Sequence, residues 1–230
     1  MTLFRDPISR VLSHLNDFFS LGPLTLGTPL LPKEAVHTDT FFSRVARSSC
    51  SSADLRKELI NWDYVETHNV TLPDRFFKHD WSVLCGIVEN YQSRSLVGSQ
   101  LGAEPYSKQG YNWRDQNVSD ASCHRLARHA IRVMLQFKLV LTLDDIGDAG
   151  PLLEQHLGWS NTTVPDVNVG AAADYFKWDL LSAQQQRALN DLNCADAVLY
   201  ASAREQFRLD LSDLPLDLMQ QRGRRHARAA

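Results

Sequence analysis

Residues 2–14 read TLFRDPISRVLSH, and the parsing of this stretch decides the fold. Thr2 to Phe4 are expected to form a short buried strand. Asp6 stands where a helix cap belongs. Pro7 takes the first helical position, where its missing N–H is not needed because first-turn N–H groups have no partner inside the helix. Ile8, Val11, Leu12, Leu15, Phe18 and Phe19 then recur three and four residues apart, which predicts an amphipathic helix with Ser9, Ser13 and Asn16 on another face. Arg5 falls between the two elements, at the carboxyl edge of the strand, in the crevice where α/β folds take ligands. Ser13 follows eight residues later, two turns into the helix. A guanidinium binds phosphate bidentately and a hydroxyl adds a directional donor, so Arg5 and Ser13 are candidates for a phosphate site. The plainer alternative pairs Arg5 with Asp6 or another carboxylate and leaves Ser13 solvated.

Outward from this stretch the chain alternates between punctuated loops and helical patterns. Residues 21–35, LGPLTLGTPLLPKEA, are broken by Pro and Gly and predict a loop. From Phe41 to about Leu101 the pattern is mainly helical, interrupted at NVTLPDR (69–75), and its last section, WSVLCGIVENYQSRSLVG (81–98), ends at Gly98. The polar stretch 103–120, AEPYSKQGYNWRDQNVSD, is too long and hydrophilic for a core element and is either a substrate-facing loop or disordered. Residues 121–135 predict a helix leading into a buried strand, FKLVLTL (137–143), and then a short helix closed by Gly158. Ser182 and Gln185 form a capping box. Leu189, Leu192, Ala195, Leu199, Ala203 and Phe207 follow it as one long helix. The basic end, QQRGRRHARAA (220–230), predicts disorder, and the folded part is expected to span 1–211 with a tail over 212–230. Strand–helix, helical insertion, then helix–strand–helix–helix suits an α/β layer fold, with too few strands for a complete sheet.

The chain has 230 residues, 43% of them hydrophobic and 22% charged, as expected of one soluble globular domain. Its net charge of −3 excludes general nucleic-acid affinity, which needs a positive field. No apolar run reaches the length of a membrane span and no signal peptide is visible. Taken alone, those absences describe a cytosolic chain. Against that stand the sequons at Asn69, Asn117 and Asn161, all in polar, turn-rich stretches. Cys50, Cys85, Cys123 and Cys194 contain no C-x-x-C pair, which disfavours zinc and permits either disulfides or buried thiols.

Four blocks, in order, resemble the Golgi carbohydrate sulfotransferases typified by the heparan sulfate 2-O- and 6-O-sulfotransferases. TLFRDPISRVLSH resembles their 3'-phosphate-binding segment. ENYQSRSLVG (89–98) is similar to their Asn-x-Gln-x-Arg-x-Leu helix, and FKLVLTLDDIGDAGPLLEQHLGW (137–159) to their strand, threonine turn and helix. LNDLNCADAVLYASAREQF (189–207) is similar to their final helix of Leu-Asn-x-x-Asp-x-x-Leu-Tyr type. The resemblance implies a P-loop-kinase-like α/β fold with a mainly helical insertion. It also implies transfer of a sulfuryl group from PAPS to a carbohydrate hydroxyl, a glycan acceptor, no metal, and a Golgi-luminal enzyme held by an N-terminal anchor. It gives Arg5 and Ser13 the 3'-phosphate of the nucleotide and keeps Asn168 as a nucleotide contact.

The departures shape the expectation as much. The family's Gly-Leu-Thr-Glu turn is Val140-Leu141-Thr142-Leu143 here, with Asp144 and Asp145 beyond it. Gly170 stands where a hydroxyl would follow Asn168. Asp17 occupies the place of a sugar-contacting histidine, and a carboxylate facing a polyanionic sugar argues against heparan itself. No Gly-rich phosphate loop is found in the chain, so the first strand and that loop are expected to be missing through truncation. With only the 3'-phosphate clamp present, no catalytic residue can be named and weak binding without transfer is expected.

Among the other residues, Trp113 in the polar loop is the candidate sugar platform, whereas Trp62 and Trp81 suit core packing. His124 and His129, five apart, share no helix face and make a poor metal pair. His14 suits a surface or packing role, and His68 and His79 merely flank a loop. Two alternatives lie outside enzymology: a non-catalytic nucleotide- or glycan-binding fragment, including a partner for a separately encoded half, and a helical interaction protein.

Overall fold

The computed structural model describes residues 1–20, 32–38, 59–72, 88, 90–100, 120–159 and 176–215, with the backbone alone at 17–20, 99–100 and 120–122. The opening stretch folds as its sequence dictates. Strand β1 (Thr2–Phe4) runs into helix α1 (Pro7–Ser20), and the Asp6 carboxylate accepts from the Ser9 N–H at 2.8 Å. Val11 and Leu15 are fully buried along the predicted stripe. Asn16 is buried too, against the expectation that it lies on a polar face. The reason is local: its amide pairs with both backbone groups of Phe176, accepting from N at 2.8 Å and donating to O at 3.0 Å.

A 3-10 turn, Lys33–Ala35, precedes an isolated antiparallel bridge between Val36 and Ile60. Helix α2 (Trp62–Thr67) follows, capped by Asn61, and His68 stacks on Tyr64 at 4.1 Å. Helix α3 (Tyr91–Gln100) starts after Asn90 and continues past Gly98. Asn90 stands at its start with φ 42°, a left-handed conformation that asparagine tolerates.

Helix α4 (Asp120–Met134) leads to strand β2 (Val140–Thr142), which pairs with β1 in parallel, Thr2 opposite Val140 and Phe4 opposite Thr142. Parallel pairing over so long a crossover makes this a mixed α/β fold, mostly helical around a small sheet. Strand periodicity distributes β2 to two cores. Val140 joins Phe4, Leu96, Val133, Met134 and Leu199 on one face, while Leu139 and Leu141 join Leu152, Leu153, Phe207 and Leu214 on the other. A third cluster gathers Val11 and Leu15 with Leu59, Ile60, Phe176 and Leu189. Helix α5 (Gly150–Leu157) ends at Gly158, whose φ of 69° and N–H bond to Glu154 O close it as expected.

The long terminal helix of the sequence is two helices, α6 (Ala183–Leu192) and α7 (Cys194–Ser212), broken at Asn193. The Ser182–Gln185 capping box starts α6. It is α7, not α6, that packs on the sheet. A disulfide joins Cys123 of α4 to Cys194, the first residue of α7. Leu214 is buried beyond α7, so the packed chain passes the boundary expected at 211.

Candidate functional site

Everything at the site begins with the backbone of Arg5. Thr2 and Phe4 direct their backbone groups to β2: Thr2 N–H donates to Leu139 O at 2.9 Å and Phe4 O accepts from Leu143 N–H at 2.7 Å. Strand alternation turns Leu3 and Arg5 toward the opposite edge. There the Gln92 side chain does what a neighbouring strand would do. Its Oε1 accepts from Arg5 N–H at 3.0 Å and its Nε2 donates to Arg5 O at 2.9 Å. Arg5 is thereby fixed at the carboxyl end of a parallel strand.

Gln92 is itself held from the far end of the chain. The Asp196 carboxylate accepts from Gln92 N–H at 2.9 Å and from Ser93 N–H at 2.7 Å, capping α3. In return, the Asn90 side-chain Oδ1 accepts from Ala195 N–H at 2.8 Å and Asp196 N–H at 3.1 Å, capping α7. Each helix start supplies the side chain that satisfies the other. Asn193 explains why the chain breaks between α6 and α7: its amide donates to Val88 O at 2.7 Å and Leu189 O at 2.8 Å. Its oxygen accepts from Arg10 at 3.3 Å. Arg10 also lies 3.7 Å from the Asp196 carboxylate, with side-chain exposures of 5% and 0%, so the pair is buried and mutually compensated. The Arg10 guanidinium sits 5.0 Å above the Tyr91 ring, and His14 meets the same ring edge-on at 5.7 Å.

These groups border a cavity of about 420 Å³, lined by Thr2, Leu3, Phe4, Arg5, Arg10, His14, Tyr91, Gln92, Ser95, Leu96 and Leu143. That volume falls in the range of small-molecule sites. Arg5 is on its wall, as the sequence predicts, but Ser13 is not. Helix α1 turns Arg10 and His14, one turn apart, toward the cavity instead. Both were overlooked as cavity groups, although their four-residue spacing on one helix face was visible. Asp17 belongs to α1, but its side chain lies outside the described residues, as do Asn168 and Trp113 altogether.

One residue past Leu143 a second polar cluster begins. Asp144 accepts a hydrogen bond from the Tyr200 hydroxyl. Asp145 accepts from Thr142 Oγ1 at 2.7 Å and takes a two-pronged contact from Arg204, Nε at 3.0 Å and a terminal nitrogen at 3.2 Å. The Arg204 hydrogen bond, helped by Thr142, holds the Asp145 carboxyl below its ordinary value despite opposing burial. Burial first, and the bond to Asp144 second, push the Tyr200 hydroxyl above its ordinary value. The cluster ties the turn after β2 to α7, so these carboxylates are occupied by the scaffold. Among the described residues, no group of His, Cys, Asp or Glu gathers that could hold a metal ion, and no helix is long and apolar enough to cross a membrane. His124 and His129 are both exposed on α4.

Comparison with protein-family models, with curated proteins and with solved structures finds no match. The polar framework just described draws on three stretches of sequence: Asn90 and Gln92 in 89–98, Thr142 in 137–159, and Asn193, Asp196 and Tyr200 in 189–207.

Proposed function

We propose that this chain is part of a PAPS-dependent carbohydrate sulfotransferase with a P-loop-kinase-like fold, and that its cavity takes the 3'-phosphate end of the nucleotide. One observation carries the proposal. An arginine at the carboxyl end of a parallel strand lines the cavity while a side-chain amide pins both its backbone groups. Such pinning suits a residue that must hold a rigid phosphate fork. The lining fits a phosphate: Arg5 supplies charge, and His14 and Tyr91 carry groups able to hydrogen-bond its oxygens, whereas the Ser95 hydroxyl already donates to Tyr91 O at 2.7 Å. Arg10 contributes less field, because Asp196 offsets it. When bound, PAPS supplies the activated sulfuryl group, and the acceptor in this proposal is a glycan hydroxyl. A Golgi-luminal setting is supported by the Cys123–Cys194 disulfide, since such bonds persist in oxidising compartments.

The test is calorimetry with adenosine 3',5'-bisphosphate against AMP, which lacks the 3'-phosphate. The bisphosphate should bind more tightly, and Arg5→Ala should remove roughly ten- to a hundredfold, the worth of one charge-assisted contact. Gln92→Ala should weaken binding by a smaller factor through the backbone of Arg5. Equal affinity for both nucleotides, or indifference to Arg5→Ala, would reject the clamp. A second reading, a phosphate-binding module without transfer, is favoured by the lack of a Gly-rich phosphate loop in these 230 residues. A sulfate-transfer assay with a Gly-rich phosphate-loop segment supplied in cis or by co-expression separates the two, because without it neither reading expects transfer.

A further inference from the structure

We propose that Asn69 is an acceptor for an N-linked glycan, presented by the extended segment that leaves α2. Along Asn69-Val70-Thr71-Leu72 burial alternates. Val70 and Leu72 pack against the core cluster that contains Val65, while Asn69 and Thr71 are exposed. A transferase reading this sequon needs the amide of its first residue and the hydroxyl of its third, and those are the two groups facing solvent. Val70 N–H donates to Val65 O at 2.9 Å, so the segment is tethered by its middle residue while both recognition groups stay outside. Among the described residues the Asn69 side chain makes no hydrogen bond that would have to be broken. Its φ of 48° tips it out of the helical path at the end of α2. No residue of 59–72 lines the cavity.

The chemistry balances with a polyprenyl-pyrophosphate-linked oligosaccharide as donor. The Asn69 Nδ2–C1 bond forms, the C1–O bond to pyrophosphate breaks, the pyrophosphate carries away the electron pair, and the amide releases one proton. The proposal needs the luminal placement suggested above but not the sulfuryl chemistry, and the disulfide between Cys123 and Cys194 supports that placement independently.

To test it, the full chain is directed into the secretory pathway of a eukaryotic host with an added signal peptide. Membrane-enclosed protein is analysed whether or not it is exported. Glycosidase treatment that leaves aspartate at each occupied site, followed by peptide mass spectrometry, should show conversion at position 69. Asn69→Gln removes the site but disturbs a left-handed position, so Thr71→Ala carries the test: it should abolish occupancy at 69, and Thr71→Ser should restore it. An unmodified Asn69 in enclosed protein, or occupancy that survives Thr71→Ala, overturns the proposal. Nucleotide binding is measured separately, so a failure here leaves the phosphate clamp untouched, and the converse holds.

Discussion

Replacing Asp196 by alanine is the sharpest single perturbation the structure offers. The carboxylate has no solvent exposure, accepts two backbone N–H groups of α3 and lies 3.7 Å from a buried guanidinium. Removing a helix cap costs about 1 kcal/mol. Breaking a buried ion pair from one side costs about 3–5 kcal/mol, because the remaining charge loses its compensation. These contributions overlap, so Asp196→Ala should destabilise by about 4 kcal/mol, a large share of the roughly 5–15 kcal/mol that holds a typical domain. Asp196→Asn keeps one acceptor for the cap but removes the charge that compensates Arg10, so it should lose only about 1 kcal/mol less. On the other side of the exchange, Asn90→Gly removes the cap of α7 for about 1 kcal/mol, and Asn90→Ala adds about 1–2 kcal/mol because φ there is positive. Urea unfolding of the four single variants and of the Asn90→Gly/Asp196→Ala double variant measures all of this. The midpoints should fall with little change in slope. The double variant should be less damaged than the sum of its parts by more than about 0.5 kcal/mol, since either substitution loosens the geometry the other cap needs. Additive effects, or a loss under about 1 kcal/mol for Asp196→Ala, would refute the claim that the two helix starts depend on each other.

Three further outcomes are expected. Cys194→Ser should lower stability by about 4 kcal/mol on the loop-entropy account for a bridge between residues 71 apart, read as a fall of the variant's urea midpoint below that of oxidised wild-type protein. Asp145 has a folded pKa below its ordinary 3.8, so its contribution is fully present above that value and disappears as the pH falls through the folded pKa. The stability difference between wild type and Asp145→Asn should therefore shrink in acid, followed by thermal melts from neutral pH to pH near 2. Gly158→Ala should cost about 1 kcal/mol from the left-handed φ alone, because nothing lies within 4 Å of the added methyl, and a larger thermal shift would mean a contact has been missed.

The parts legible in the sequence were those decided within a few residues. Asp6, Pro7 and the stripe from Ile8 to Leu15 fix β1 and α1 locally, and the same holds for the Ser182–Gln185 box and the Gly158 stop. The parts misread were decided at a distance. Nothing near Asn193 marks a helix break; it follows from Val88 and Arg10, which lie far away in the chain. Asn16 was placed on a polar face because its amide partner, Phe176, lies 160 residues on. Arg5 stood out because an arginine directly after a strand is conspicuous. Gln92, which positions it, was noticed only as part of a resemblance, since a glutamine that substitutes for a strand has no signature of its own. Ser13 was chosen for its spacing from Arg5, yet the rotation of α1 gives the cavity to Arg10 and His14.

The exchange between Asn90 and the first turn of α7 also sets a timetable for the chain as it is made. Asn90 and its partner Ala195 are 105 residues apart. At about 5–20 residues per second, a ribosome emits α3 roughly 5–20 seconds before the carboxylate that caps it exists. During that interval the Gln92 and Ser93 N–H groups lack the carboxylate that accepts from them, and Gln92 lacks the anchor that holds it against Arg5. The nascent chain therefore carries β1 and α1 without their final arrangement until residue 196 clears the exit tunnel, and any message cut short before that codon yields a product for proteases and chaperones.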